Sequence, residues 1–169
     1  MASSDPADAA FWAMIEAAWR PRGKTANAAR AKLAARTPDE DEADTEAIDD
    51  SLDDVIDALR TAFAALPQDQ LVAMDRVLER KLYEIDRQDL QDVTDGSDDG
   101  FLYCRGYIVA LGQAFYEAVV ADPEIAICDA ECEEMCYLPA HVHEERFGAL
   151  PKHDAGISRE TGSNKAGWS

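Results

Sequence analysis

Large apolar residues recur at intervals of three and four along most of the chain, the period of one face of an α-helix. Phe11, Trp12, Ile15 and Trp19 form the first such stripe. Ser4 and Asp5 followed by Pro6 suit a helix opening, because proline at the first helical position gives up no hydrogen bond that was available. This helix should end before "RPRG" at 20–23. Ser51 starts the next predicted helix, with Asp54 in place of the capping-box glutamate and Leu52, Val55, Ile56, Leu59, Phe63 and Leu66 as its stripe. Pro67 interrupts, and Leu71, Met74, Leu78, Leu82 and Ile85 then continue the period. So short a turn predicts an antiparallel pair. Phe101, Cys104, Ile108, Leu111, Phe115 and Val119 predict one further long helix, closed by "ADPE", where Asp122 can cap and Pro123 can open a successor. Pro139 and Gly148 bracket a short helix. No segment shows the alternation, β-branched runs or Asn-Gly turns of strands. The expectation is all-α: a single compact bundle of five or six helices over residues 1–148, then a flexible, disordered C-terminal tail over 149–169.

Charge changes this picture between the first two stripes. Residues 20–36 hold six basic residues and no acid, in an alanine-rich string with Leu33 as its one large apolar side chain. The sign then reverses, with eleven acids between Asp39 and Asp57 and no base. Residues 24–50 therefore read as a partly mobile basic and acidic insertion, its acidic part a linker. The whole chain of 169 residues carries a formal charge of -19. Such a field repels nucleic-acid phosphates and anionic lipid, and attracts a protein with a basic surface. No apolar run approaches the ~20 residues of a spanning helix, and "MASSDPADAAFW" lacks the basic start and apolar centre of a secretory signal. The implied location is cytoplasmic, where Cys104, Cys128, Cys132 and Cys136 stay thiols.

Candidate chemistry is sparse. Asp95, Ser97, Asp99 and Gly100 follow the opening of a calcium loop, but the bidentate carboxylate of place twelve falls on Gly106. Ser97 as a helix cap, with Asp98 and Asp99 in the first turn against the positive end of the dipole, accounts better for the stretch. Arg105 lies one turn from both Phe101 and Ile108, on the apolar face, and a charge there needs a partner; Asp86, Asp98, Asp99 and Glu16 are the candidates. Gly106 and Gly112, inside the same predicted helix, suggest close approach by a neighbour. Cys128, Cys132 and Cys136 share a helical face too long to converge on one metal, so no metal is expected and core thiols are. His141 and His143 read as surface groups, and His153 lies in the tail. No nucleophile elbow, phosphate loop, zinc-protease motif or dinucleotide fingerprint is present, and no cofactor is implied.

"FWAMIE" at 11–16 and "SDDGFLYCRGYIVALGQAFYEAVVADPE" at 97–124 resemble a bacterial family common among actinobacteria, domain of unknown function 4240, whose members share a Phe-Trp-x-x-Ile-Glu start, Ser-Asp-Asp-Gly-Phe, an Arg-Gly step, a Gly-x-x-x-Tyr-Glu-Ala segment and Asp-Pro. The resemblance brings no activity. It groups Asp98, Asp99 and Arg105 as one motif, and it leaves Asp95 outside the shared pattern. Two functions remain as expectations. The first is an acidic protein acting by binding another macromolecule, in an interaction, inhibitor or immunity-type role. The second is a small-molecule or metal-assisted enzyme with a site gathering Asp98, Asp99, Arg105 and Glu117 or Glu16.

Overall fold

Asp5 caps the first helix, α1 (Pro6–Trp19), its carboxylate accepting the Ala7 N–H at 3.0 Å, with proline opening the first turn. Phe11, Trp12, Ile15 and Trp19 are buried along one side of it as their spacing predicts. The computed structural model describes residues 5–39, 43–94, 96–152 and 156–169, and these contain eight α-helices and no strand. After α1 come α2 (Lys24–Ala35), α3 (Glu46–Ala64), α4 (Gln68–Glu84), α5 (Gln88–Val93), α6 (Asp98–Ala110), α7 (Gln113–Ala121) and α8 (Leu138–Phe147). None of the described helices is long and apolar enough to cross a membrane.

The count exceeds five or six because the predicted long helix after residue 97 is two, and because α2 and the short α5 are formed helices that no apolar stripe marks. Gly112 takes φ 101, a conformation that side-chain-bearing residues rarely adopt, and there α6 stops and α7 starts. A Cβ on Gly112 would also stand 2.6 Å from the Glu16 carboxylate. The acidic segment is likewise corrected. α3 begins at Glu46, five residues before Ser51, and Asp49, Asp50, Asp53, Asp54 and Asp57 are its exposed face while Ile48, Val55, Ile56, Leu59 and Phe63 are buried. What reads as a charged linker is therefore largely the solvated side of an amphipathic helix. Glu40, Asp41 and Glu42 lie outside the described residues, as does Ser4.

Pro67 does separate α3 from α4, but the two do not form the expected antiparallel pair: α3 packs chiefly against α1, α2 and α8, and α4 against α8, α1 and α6. The basic helix α2 buries Ala26 and Leu33 and is also held by polar contacts. Arg30 pairs with Glu16 at 3.0 Å, donates to the Leu111 carbonyl and stacks 4.7 Å above Trp19, and Arg36 donates to the Ile125 and Ala126 carbonyls. α6 is buried almost all round and forms the centre of the bundle, against α4, α7 and a 3₁₀ segment, Glu133–Tyr137.

That segment overturns the single thiol-bearing helix. Cys128 is exposed in a loop, and Cys132 and Cys136 flank and enter the 3₁₀ turn, where they are buried on α6. Finally, residues 156–169 lie against the bundle instead of trailing from it, with Arg159 only 5% exposed. Polar contacts that no hydrophobic period signals hold them there.

Candidate functional site

The last carbonyls of a helix have no partner within it. At the end of α4, the carbonyls of Lys81, Leu82 and Tyr83 are met by three side chains from elsewhere: Tyr116 of α7 donates to Lys81 at 2.8 Å, Arg105 of α6 to Leu82 at 2.8 Å, and Asn164 to Tyr83 at 3.0 Å. A guanidinium is well placed there, since the C-terminal end of the helix dipole is negative. Arg105 is fully buried, stacks 4.7 Å above the Phe101 ring and gives a second hydrogen bond, 3.2 Å, to the Thr161 hydroxyl. Burial pulls its pKa below the ordinary arginine value, and the negative charge of Asp86 acts against that. Asp86 is itself fully buried, and its carboxylate accepts from the Gly162 and Asn164 backbone amides and the Trp168 indole.

Of the four carboxylates considered for Arg105, Asp86 alone is its buried electrostatic neighbour, and even there the guanidinium bonds go to a carbonyl and a hydroxyl. Asp98 and Asp99 turn their side chains to solvent in the first turn of α6, whose cap is Ser97, accepting the Gly100 N–H at 3.1 Å. The Asp98 backbone carbonyl accepts from the Thr161 hydroxyl at 2.6 Å. Asp95 and His153 lie outside the described residues. Glu16 belongs to Arg30, and Glu117 is exposed beside Gln113. The five residues singled out from sequence are thus not one site. His143, expected at the surface, is buried with its ring nitrogens facing Gln68 and the Ala149 carbonyl, while His141 is exposed. Among the described residues, no group of three or more His, Cys, Asp or Glu side chains gathers to hold a metal.

The surface of the described residues carries several hollows, one of about 590 Å³ between α5 and the 164–169 end of the chain, and three that take in candidate residues or their neighbours. Glu117 borders two of these three, of about 640 and 570 Å³, and Glu16 the second. Their charges are satisfied locally: Arg80 and Lys81 both engage Asp8, and Arg30 engages Glu16. The third, of about 280 Å³, is lined by Asp99, Glu133, Glu134 and Glu160 together with Tyr103, Tyr137 and His141. Its one strong cation, Arg60, pairs with Glu145 at 3.4 Å. Tyr137 and His141 stack with ring centroids 5.8 Å apart, and the Tyr137 hydroxyl donates to Glu160 at 2.7 Å. Burial first, and then that bond, push the Tyr137 phenol above the ordinary tyrosine range. Carboxylates beside aromatic side chains form a surface suited to an ammonium or guanidinium group.

A family model for proteins of unknown function, DUF4240, matches residues 40–145, well over half of the chain. The chain belongs to the DUF4240 family. Neither the comparison with curated proteins nor that with solved structures gave a match. In this DUF4240 chain the matched region contains Asp86, Arg105 and all of the third hollow except Glu160, whereas Glu16 and the 156–169 segment lie beyond it.

Burial also sets the thiols of this DUF4240 protein apart. It raises Cys132 from an ordinary value of 9.0 to about 11 and Cys136 to about 12. Because the folded state holds these protons more tightly than the unfolded one, their stabilising effect is complete below pH 9 and is lost as pH rises towards 11–12. Urea midpoints measured from pH 8 to 11 should therefore fall. An Ellman titration of the native protein should find Cys128 reacting first, with Cys132 and Cys136 following only on unfolding.

Proposed function

We propose that this protein is an acidic cytoplasmic binding protein whose third hollow engages a lysine- or arginine-bearing surface on another protein, in an interaction, inhibitor or immunity-type role. The observation that supports this reading is the set of four carboxylates, Asp99, Glu133, Glu134 and Glu160, around Tyr103, Tyr137 and His141, opposed by one arginine that already has a partner. The net charge of -19 adds a long-range field of the same sign, which speeds encounter with a basic partner and selects against acidic ones. Aromatic rings in such a hollow supply desolvated contact area for the aliphatic stem of a bound Lys or Arg.

The test is a pull-down with a salt titration, using the wild type and a Glu133→Lys, Glu134→Lys variant. A partner held by this field should be released between about 0.1 and 1 M salt, where the screening length falls from ~10 to ~3 Å. The variant should bind it about tenfold less tightly, with most of the loss in the association rate. A partner insensitive to salt, or equally bound by the charge-reversed protein, sinks the proposal.

A further inference from the structure

The 156–169 segment gives the third, acidic hollow one side chain, the exposed Glu160 carboxylate, from a turn ahead of the 3₁₀ helix Lys165–Trp168. A glutamate on such a turn has no helix or strand to set its position. Both of its chain neighbours are fastened instead. Before it, the buried Arg159 guanidinium forks onto both Asp75 oxygens at 3.2 Å, reaches Glu79 at 3.1 Å, donates to the Cys136 carbonyl at 2.7 Å and stacks 4.8 Å above the Tyr137 ring. After it, the Thr161 hydroxyl donates to the Asp98 carbonyl at 2.6 Å and accepts from Arg105 at 3.2 Å, and the Gly162 and Asn164 amides donate to Asp86. The two carbonyls that receive these anchors each stand one residue before another lining group of the hollow, Cys136 before Tyr137 and Asp98 before Asp99. The Tyr137 hydroxyl closes the circuit through its 2.7 Å bond to Glu160.

We infer that Arg159 and Thr161 are positioning residues of the acidic hollow, which hold the Glu160 carboxylate in place with Tyr137 and Asp99 before a cationic side chain arrives; the inference rests on reading that hollow as the binding site. A flexible side chain that must be immobilised when a ligand binds subtracts from affinity, and one already held by its surroundings does not. The anchors act through position alone. Neither of them lines the hollow, and the charge of Arg159 is met by Asp75 and Glu79. The same contacts make the segment a determinant of specificity. Asp99, Glu133 and Glu134 come from residues 40–145, the region shared with the DUF4240 family, whereas Glu160 and both anchors lie outside it. The fourth carboxylate is an addition that this chain makes to the shared part.

The experiment titrates the isotope-labelled full-length protein with N-acetyl-arginine amide, a single guanidinium, and follows the backbone amide resonances at a temperature where circular dichroism shows each variant folded. In the wild type, saturable shifts should gather at Tyr103, Glu133, Tyr137, His141 and Glu160. Glu160→Gln removes the charge, and Thr161→Val removes a tether while leaving all four carboxylates present; each should bind the probe about fivefold less tightly. Thr161→Ser keeps the hydroxyl and should bind as the wild type does. Arg159→Lys keeps the positive charge but cannot fork onto Asp75 while stacked on Tyr137, so it should lose as much as Thr161→Val and serves in its place if that variant does not fold. Binding at the hollow that is as tight in Thr161→Val and Arg159→Lys as in the wild type overturns the positioning role and leaves the hollow standing as the site. Equal weakening in Thr161→Ser also overturns it, because the effect then follows packing and not the tether. No shift at the hollow in the wild type overturns the reading of the hollow and the inference together.

Discussion

Replacing Arg105 by alanine should lower the unfolding free energy by ~3–5 kcal/mol, the cost of deleting one member of a buried charged network. The loss has three sources. The Leu82 carbonyl at the end of α4 loses its donor, the Asp86 carboxylate loses the positive charge beside it, and a void opens over Phe101. For a chain of this length, that corresponds to a fall in Tm on the order of 10 °C. Arg105→Lys should recover less than half of the loss. An ammonium cannot present two donors to Leu82 and Thr161 in the plane of a guanidinium stacked on a ring. Urea denaturation of the three proteins measures the series. A change under ~1 kcal/mol for alanine, the range of an exposed pair, would show that Arg105 does not support the fold and would return attention to it as a ligand-facing group.

The features legible in the sequence were those set by local periodicity. The stripes at 11–19, 55–63, 71–85 and 101–108 are buried as expected, with Leu52 half-buried, and the cap residues Asp5, Ser97 and Asp122 each accept the backbone N–H that their position implies. What failed was non-local. The break at Gly112 comes from a backbone conformation and from Glu16, nearly a hundred residues earlier, pressing on it; the helical period simply runs through it. The packing of residues 156–169 rests on Arg159, Asn164 and Trp168 meeting buried acids and helix-end carbonyls, and polar contacts of that kind leave no stripe.

The same distinction explains the site. That Arg105 sits inside and needs compensation follows from its place among apolar neighbours, but its compensation by a helix end and a distant hydroxyl depends on where α4 stops. Asp99 was legible as a surface acid. Its association with Glu133, Glu134 and Glu160 needs three separate segments to meet, and Tyr137 with His141 marks the spot only once the 3₁₀ turn leading into α8 is known. Of the candidates read from sequence, Asp99 lines the acidic hollow, and Arg105 lies beneath the 156–169 segment.

Gly106 carries the second large effect. It faces the 3₁₀ segment across the tightest approach to α6: an added Cβ would stand 2.5 Å from the Cys132 carbonyl oxygen and 2.6 Å from the Cys136 sulfur. The sulfur can rotate, but the carbonyl belongs to a backbone held in place by the Cys132 N–H donating to the Tyr103 carbonyl at 3.0 Å. Alanine gains about 1 kcal/mol of helix propensity over glycine, yet overpacking of this severity costs typically ~1–3 kcal/mol and occasionally more. Gly106→Ala should thus be destabilising on balance, and Gly106→Val, with two further methyls and no propensity gain of that size, should be worse. Combining Gly106→Ala with Cys136→Ala separates the two collisions, because it removes the sulfur and leaves the carbonyl. The double variant should recover only part of the urea midpoint, and in Gly106→Ala alone Cys132 should become reactive to Ellman's reagent as the turn lifts from α6. A neutral or stabilising Gly106→Ala would mean that the two backbones are farther apart than these distances state, and the packing of the 3₁₀ segment onto α6 would have to be redrawn.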